Sequence, residues 1–404
     1  MMNPYFLTIL VYVVLAIFQA FDIALINYNL FPVMNGVRWL RVHFITLGIV
    51  TQAVFAVLPW LVAARTRQAQ PKFRWDIWLL LNAGIPVLLL GMPILNIYVI
   101  FAGGTLIFAA ATLLTVQLSQ MRGGAARASA EGGDPHLGRK FYVTGVAYFL
   151  VGIIIGTGIY LGWSNLLGIK SPIEAHIHAN NWGLMSLVFA GWMVDLYPKF
   201  TGRSLAWPRS VTPIYWMMTI GALGLILGPW TGLLAFTIPG LVLHLSATFW
   251  LVANMVKPLL GDRRAWTPGI WQLVTAYVWI IVPIMMAPMI ILKVPGFPTV
   301  TIEQNAPQAL IYGWVLQFGM AIVPYFFRLY FKPDEARLGG SWFSLVTVHL
   351  GGVFLWVSIF VPGAFGVLQG VAYTFWVLAL IPLGVELWRV VQGQGEEGVP
   401  VLNV

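Results

Sequence analysis

The residues of this 404-residue chain best suited to chemistry are its six histidines, His43, His136, His176, His178, His244 and His349. All but His136 fall inside long apolar stretches. An imidazole taken out of water without a partner is costly, so such a group faces protein, pairs, or binds something. Neutral imidazole ligates haem iron, copper and zinc alike. The competing reading is a hydrogen-bonded polar cluster with no metal. His43, His176 and His178 are expected in the first turns of helices that run in one direction, hence near one level. Residues 176 and 178 lie about 200° apart around a helix, so they address different neighbours. His178 is read as the inward one because it matches His43 in the repeat described below. At the same level stand Asp22, Asn27, Asn35, Glu174, Asn180, Asn181, Glu303, Gln304, Asn305 and Gln308, which could fix an imidazole tautomer. His244 and His349 are mid-span, each open to a ligand role or a packed core role. His136 reads as solvated.

The elements that must position these groups are membrane helices. The chain is 59% hydrophobic and 9% charged, with a mean hydropathy of +0.85. A soluble domain carries roughly 25% charged residues, so much of this surface is expected to face lipid. Spans of about 20 apolar residues are expected at 5–27, 40–64, 75–93, 96–119, 140–163, 173–197, 211–229, 232–256, 268–292, 306–330, 342–361 and 367–390. The opening residues read as the first span rather than a cleavable leader. Segment 121–139 reads as a Gly/Ala-rich cytoplasmic linker. With twelve spans, one side receives Arg38, Arg41, Lys170 and Lys293, and the other receives the remaining 18 of the 22 basic residues. Basic residues stay cytoplasmic, so both termini are expected inside a prokaryotic inner membrane. The net charge of +9 is then a rim facing lipid headgroups, not a nucleic-acid surface. Zero cysteines exclude disulfides, thiolate-held iron–sulfur clusters and cysteine nucleophiles.

Spans two, six and ten share a pattern. His43, Gly48, Pro59 and Arg65 are matched by His178, Gly183, Pro198 and Arg203, and by Gln308, Gly313, Pro324 and Arg328. The first interval is five residues in each, and the glycine–proline intervals are eleven, fifteen and eleven. Equal spacing, every fourth span, in one direction predicts a threefold pseudo-repeat. One all-α, polytopic membrane domain is expected over 1–404, with four-helix arcs near 1–120, 140–256 and 268–390.

The run His176-Ile-His178-Ala-Asn-Asn-Trp-Gly183, then Phe189-Ala-Gly191 and Tyr197-Pro198-Lys-Phe-Thr-Gly-Arg203, resembles the H-x-H…G…G…P-x-x-T-G-R helix of haem-copper oxidase subunit I homologues. It is nearest the stand-alone proteins of the C-type oxidase and nitric oxide reductase branch, and the NnrS-like haem proteins. The resemblance is specific over about 30 residues and diffuse elsewhere. It implies the twelve-span, threefold scaffold with haem b as cofactor and copper as a further candidate. His43 matches the low-spin haem ligand of span two. Gln308 stands where span ten would supply the other, and span seven lacks the copper-binding His-His pair. The resemblance therefore implies the scaffold without the oxygen-reducing binuclear centre.

Read together, these residues point to a haem-binding redox protein of respiratory electron transfer or nitric oxide chemistry. His43, His178, His176 and His349 are the expected cofactor ligands; His43, His176, His178 and His244 are the candidates for a bound metal ion. An electron donor would be a quinol or a membrane or periplasmic partner protein. The alternatives are a metal-handling or transport protein, or a non-catalytic subunit of a respiratory complex. No P-loop, nucleophile elbow or HExxH motif is present. Asp195 is expected to form an ion pair with Lys199 or Arg203, or to open a proton path.

Overall fold

The computed structural model describes residues 3–34, 36–121 and 137–393. His136, Asn35 and nearly all of the expected linker lie outside the described residues. Twelve long helices occur among those described. They are α1 (Pro4–Asn27), α2 (Trp39–Arg65), α3 (Trp75–Gly91), α4 (Ile97–Gln120), α5 (Leu137–Leu161), α6 (172–201), α7 (Val211–Thr231), α8 (Leu234–Val256), α9 (Pro268–Ile291), α10 (Thr299–Phe331), α11 (Trp342–Phe360) and α12 (Phe365–Gln392). No strand is present among the described residues. Ten of the helices are long and apolar enough to cross a membrane, so the chain is an all-helical, multi-pass membrane protein.

Two of the twelve expected spans differ. Helix α3 has 17 residues, at the lower limit of the length a bilayer core needs. Helix α6 is long but carries Glu174, His176, His178, Asn180, Asn181, Asp195 and Lys199, which lower its hydropathy below that of a spanning helix. Buried helices carry no such apolar requirement, since protein rather than lipid surrounds them. From Ala179 to Tyr197 every residue of α6 but Asn180 is buried. Helices α2 and α10 are similarly enclosed. Their most apolar windows are 83% and 100% buried, against 22–50% for the other eight spanning helices.

The described chain forms two compact units, Met1–Ala53 with Asp262–Asn403, and Val54–Gly261. In the first, α1 packs along α12, α12 along α11, and the start of α2 against α1. In the second, α3 pairs with α4, α4 with α5, α5 with α6, and α7 with α8. Proline inside α2, α3, α6, α7, α8, α9, α10 and α12 is tolerated because neighbouring helices satisfy the freed carbonyls.

Helices α2, α6 and α10 share a local feature. Each switches to π-helical hydrogen bonding over Phe44–Thr51, Ala179–Met185 and Ala309–Leu316. Each π segment begins at the residue after His43, His178 or Gln308. Such widened turns are rare and gather at functional sites. The fifth residue of each is the glycine of the sequence pattern. A Cβ at Gly48 would collide with the Tyr12 ring, at Gly183 with Tyr148, and at Gly313 with the Trp279 ring. In every case the aromatic comes from the membrane helix just before in the chain. Glycine is needed here for close approach, not for backbone freedom. Gly183→Ala is expected to destabilise the protein by about 1–3 kcal/mol, the usual cost of overpacking, read as a lower melting temperature in detergent. Gly202→Ala, at a C-cap with φ 66° and open space around it, serves as the comparison of backbone strain without overpacking.

Candidate functional site

Local structure divides the five described histidines into two kinds. The first kind is pinned through Nδ1 by a backbone carbonyl. His43, in the last turn before the α2 π segment, donates from Nδ1 to the Trp39 carbonyl at 2.7 Å. Its ring stacks on the Trp39 indole, with centroids 3.8 Å apart and 16° between planes. His178 donates to the Leu225 carbonyl of α7 at 2.6 Å. His176 donates to the Gly152 carbonyl of α5 at 2.8 Å. A carbonyl oxygen only accepts, so the proton of each neutral ring sits on Nδ1 and the lone pair on Nε2. Fixing one ring nitrogen in this way is how proteins orient the other toward a metal.

The expected divergence of residues 176 and 178 is realised. His176 lies against α5 and His178 against α7. His176 is tightly seated: a Cβ at Gly156 would reach within 2.6 Å of its imidazole, and Asn180 approaches its Nδ1 at 3.4 Å.

The second kind is satisfied at both nitrogens. His244 of α8 donates from Nδ1 to the Met218 carbonyl at 3.2 Å and accepts at Nε2 from the Ser186 hydroxyl at 3.0 Å. His349 of α11 accepts at Nδ1 from the Trp279 indole N–H at 3.1 Å, and its Nε2 meets Thr275 Oγ1 at 2.9 Å. Gln317 adds a third side chain to that network at 3.2 Å. Both have the surroundings of a packed core histidine, and ligation by either would break an existing bond. Among the described residues no group of three or more His, Cys, Asp or Glu stands close enough to hold a metal ion. Of the expected metal set, His43 lies in the first unit and His176, His178 and His244 in the second.

Sequence reasoning missed Trp182 and Ser186. They continue the His178 face of α6, Trp182 within the π segment and Ser186 just after it. Trp182 lies between the two imidazoles, its ring 6.4 Å from His178 and 5.3 Å, edge-on, from His244. The signal was available as the spacing 178, 182, 186.

Arg41, two residues before His43, was counted in the sequence only as a charge. Its carbonyl accepts from Tyr312 Oη at 2.8 Å, and its guanidinium hydrogen-bonds Tyr373. Its Nε is buried with no hydrogen-bond partner among the described residues. A buried cationic N–H without an acceptor is expensive, and a carboxylate would complete it. The place of Gln308 is filled. Its Oε1 accepts from Tyr373 Oη at 3.1 Å, and its Nε2 donates to the Gln304 carbonyl at 3.0 Å. Tyr312 stacks on Trp376 beside it, with centroids 4.3 Å apart.

Asp195 corrects an expectation. Its hydrogen-bonded ion-pair partner is Arg65, whose Nε donates to Oδ1 at 2.9 Å, while the expected Lys199 acts on the carboxylate through space without a hydrogen bond. Tyr142 Oη donates to Oδ2 at 2.8 Å. The carboxylate is 2% exposed and the Arg65 side chain 44%, so only the acid is enclosed by protein. Arg203 instead reaches the Pro258 carbonyl.

No protein-family model matches this chain, and no curated protein matches its sequence.

Asp195→Ala should cost about 1–3 kcal/mol, because the buried Tyr142 hydroxyl loses its acceptor. Asp195→Asn, which keeps an acceptor, should cost less. Thermal melts of both variants in detergent check the order.

Proposed function

We propose that the chain is a membrane haem protein that serves electron transfer or nitric oxide chemistry. His43 and His178 would be the residues that hold the haem, each through its imidazole. The observation that carries this reading is the shared setting of the two rings. Both are locked as Nδ1–H tautomers by backbone carbonyls, and both immediately precede a π-helical segment. The donor set fits a porphyrin better than a bare ion. Axial ligation needs one or two imidazoles per iron, whereas no cluster of three or more ligating side chains exists among the described residues.

The Arg41 Nε, buried and unbonded, fits the acidic side chain of a haem. A bound haem would supply one-electron redox chemistry at iron. The residues of this chain would orient the imidazoles, hold a propionate at Arg41, and exclude water. His176 is read as a further candidate, held on α5. His244 and His349, with both nitrogens engaged, are read as supports: His244 backs Trp182, and His349 braces Trp279.

The scaffold reading goes with it. We infer twelve crossings, with the short α3 and the polar α6 completing the ten apolar helices. Three arcs would be headed by α2, α6 and α10, with both termini on the cytoplasmic side of a prokaryotic inner membrane. The matched π segments and glycines support the repeat, and the uneven split of basic residues supports the orientation. The filled position at Gln308 argues for a scaffold of the haem-copper oxidase kind without its full ligand set. The electron donor would be a quinol or a partner protein.

A reduced-minus-oxidised spectrum of protein expressed with ample haem tests the proposal. The expected result is a Soret band with b-type α and β bands, lost or shifted in His43→Ala or His178→Ala, and kept in His349→Gln. Absence of a Soret band, with metal analysis showing copper or zinc, would instead favour a metal-handling protein.

A further inference from the structure

We propose that a second site, at the far end of α10, α11 and α12, binds the phosphate of an anionic phospholipid head group. It is a cavity of about 430 Å³ inside the first unit. Its wall is basic: Arg328 and Lys332 from the end of α10, Arg337 from the following loop, and Arg389 from α12. Two acids, Glu335 and Glu386, share the lining, so four cations against two anions leave an excess of two positive charges.

The pairing shows which cations are committed. Arg328 Nη2 donates to Glu386 Oε1 at 2.5 Å, and the Gly340 N–H donates to the other oxygen at 3.2 Å. Lys332 stands 3.9 Å from Glu335. The guanidinium groups of Arg337 and Arg389 make no hydrogen bond or ion pair among the described residues, and both residues are exposed. Glu386 is therefore already used as an internal counter-ion, while two forked donors are left over. Guanidinium presents paired N–H groups that match phosphate oxygens.

Two further features favour phosphate. The N-terminus of α11 opens on the cavity through Gly340, the N-cap Ser341 and, in the first turn, Ser344, adding the positive end of a 19-residue helix and the Ser344 hydroxyl, which accepts from Ser341 Oγ at 3.1 Å and keeps its own proton to donate. The rest of the wall is apolar, including Met320, Leu383 and Val385, a surface suited to the glycerol and upper acyl region of a lipid. Trp342, Phe343 and Trp388 are each more than half exposed at this end of the helices. Exposed tryptophans gather at the membrane interface, which is the depth of phospholipid phosphates. Basic pockets between membrane helices at this depth bind anionic head groups.

The test uses the full chain in detergent micelles, titrated with short-chain phosphatidylglycerol, phosphatidylcholine or inorganic phosphate and read by native mass spectrometry and thermal shift. Phosphatidylglycerol is expected to bind and phosphatidylcholine not. The double variant Arg337→Gln/Arg389→Gln is expected to weaken phosphatidylglycerol binding about thirtyfold, and Arg337→Lys/Arg389→Lys to keep most of it. Arg263→Gln/Arg264→Gln, outside the cavity, is expected to bind as the unmodified protein does. Neither guanidinium is hydrogen-bonded among the described residues, so their replacement should leave the circular dichroism unchanged. Competition by inorganic phosphate supports the phosphate contact. Phosphate binding without phosphatidylglycerol binding overturns the lipid as the source and assigns the site to a free anion. Equal binding of the two lipids, or unchanged binding in the double glutamine variant, overturns the proposal. None of these readouts depends on bound haem, so the two proposals fail separately.

Discussion

A polar atom carried into apolar surroundings must find its partner inside the chain, and this constraint shapes the functional region. Backbone groups meet it through helices. Side chains meet it one by one, and the imidazoles show how. Every described histidine is bonded through at least one ring nitrogen. The partner sets the tautomer. A carbonyl on Nδ1 places the proton there and the lone pair on the far nitrogen, as in His43, His176, His178 and His244. In His349 the indole N–H of Trp279 takes the Nδ1 lone pair instead.

The same constraint accounts for the packing around the π segments. Widening the helix by one residue per turn displaces side chains and opens the ladder. The gap must then be filled, since a void forfeits contacts on one side. Tyr12, Tyr148 and Trp279 do this by lying on Gly48, Gly183 and Gly313. A ring set against bare backbone fixes the spacing of two helices and so the position of the imidazole one turn away. The indole N–H of Trp279 is meanwhile taken by His349, so one residue spaces α9 from α10 and α11 and also satisfies a buried nitrogen.

Charges near the helix ends obey it too. The arginines of the repeat, Arg65, Arg203 and Arg328, all find an acceptor on a different helix or loop. For Arg65 it is Asp195, for Arg328 it is Glu386, and for Arg203 it is the Pro258 carbonyl. The two ion pairs differ in wetness. Arg65 is 44% exposed, whereas Arg328 is 9% exposed and donates a second bond to the Arg337 carbonyl. Breaking the drier pair leaves more charge uncompensated. Basic residues near the helix ends thus serve as counter-ions for acids held between helices.

Much of this was written in the sequence, because membrane helices announce themselves by length and hydropathy, which are local properties. Ten spans, the glycine positions, and the special standing of residues 43, 178 and 308 could all be read there. Even the opposed directions of His176 and His178 followed from helical geometry. The sequence did not reveal the π segments, because the shift from i−4 to i−5 bonding depends on what packs against the helix. Nor did it reveal that Arg65 would reach Asp195, that Trp182 and Ser186 would join two histidines, or that Arg41 would keep a buried nitrogen unpaired. Each is a contact across more than one helix, and the partner of a polar group is decided by which neighbour the tertiary packing brings within hydrogen-bond distance.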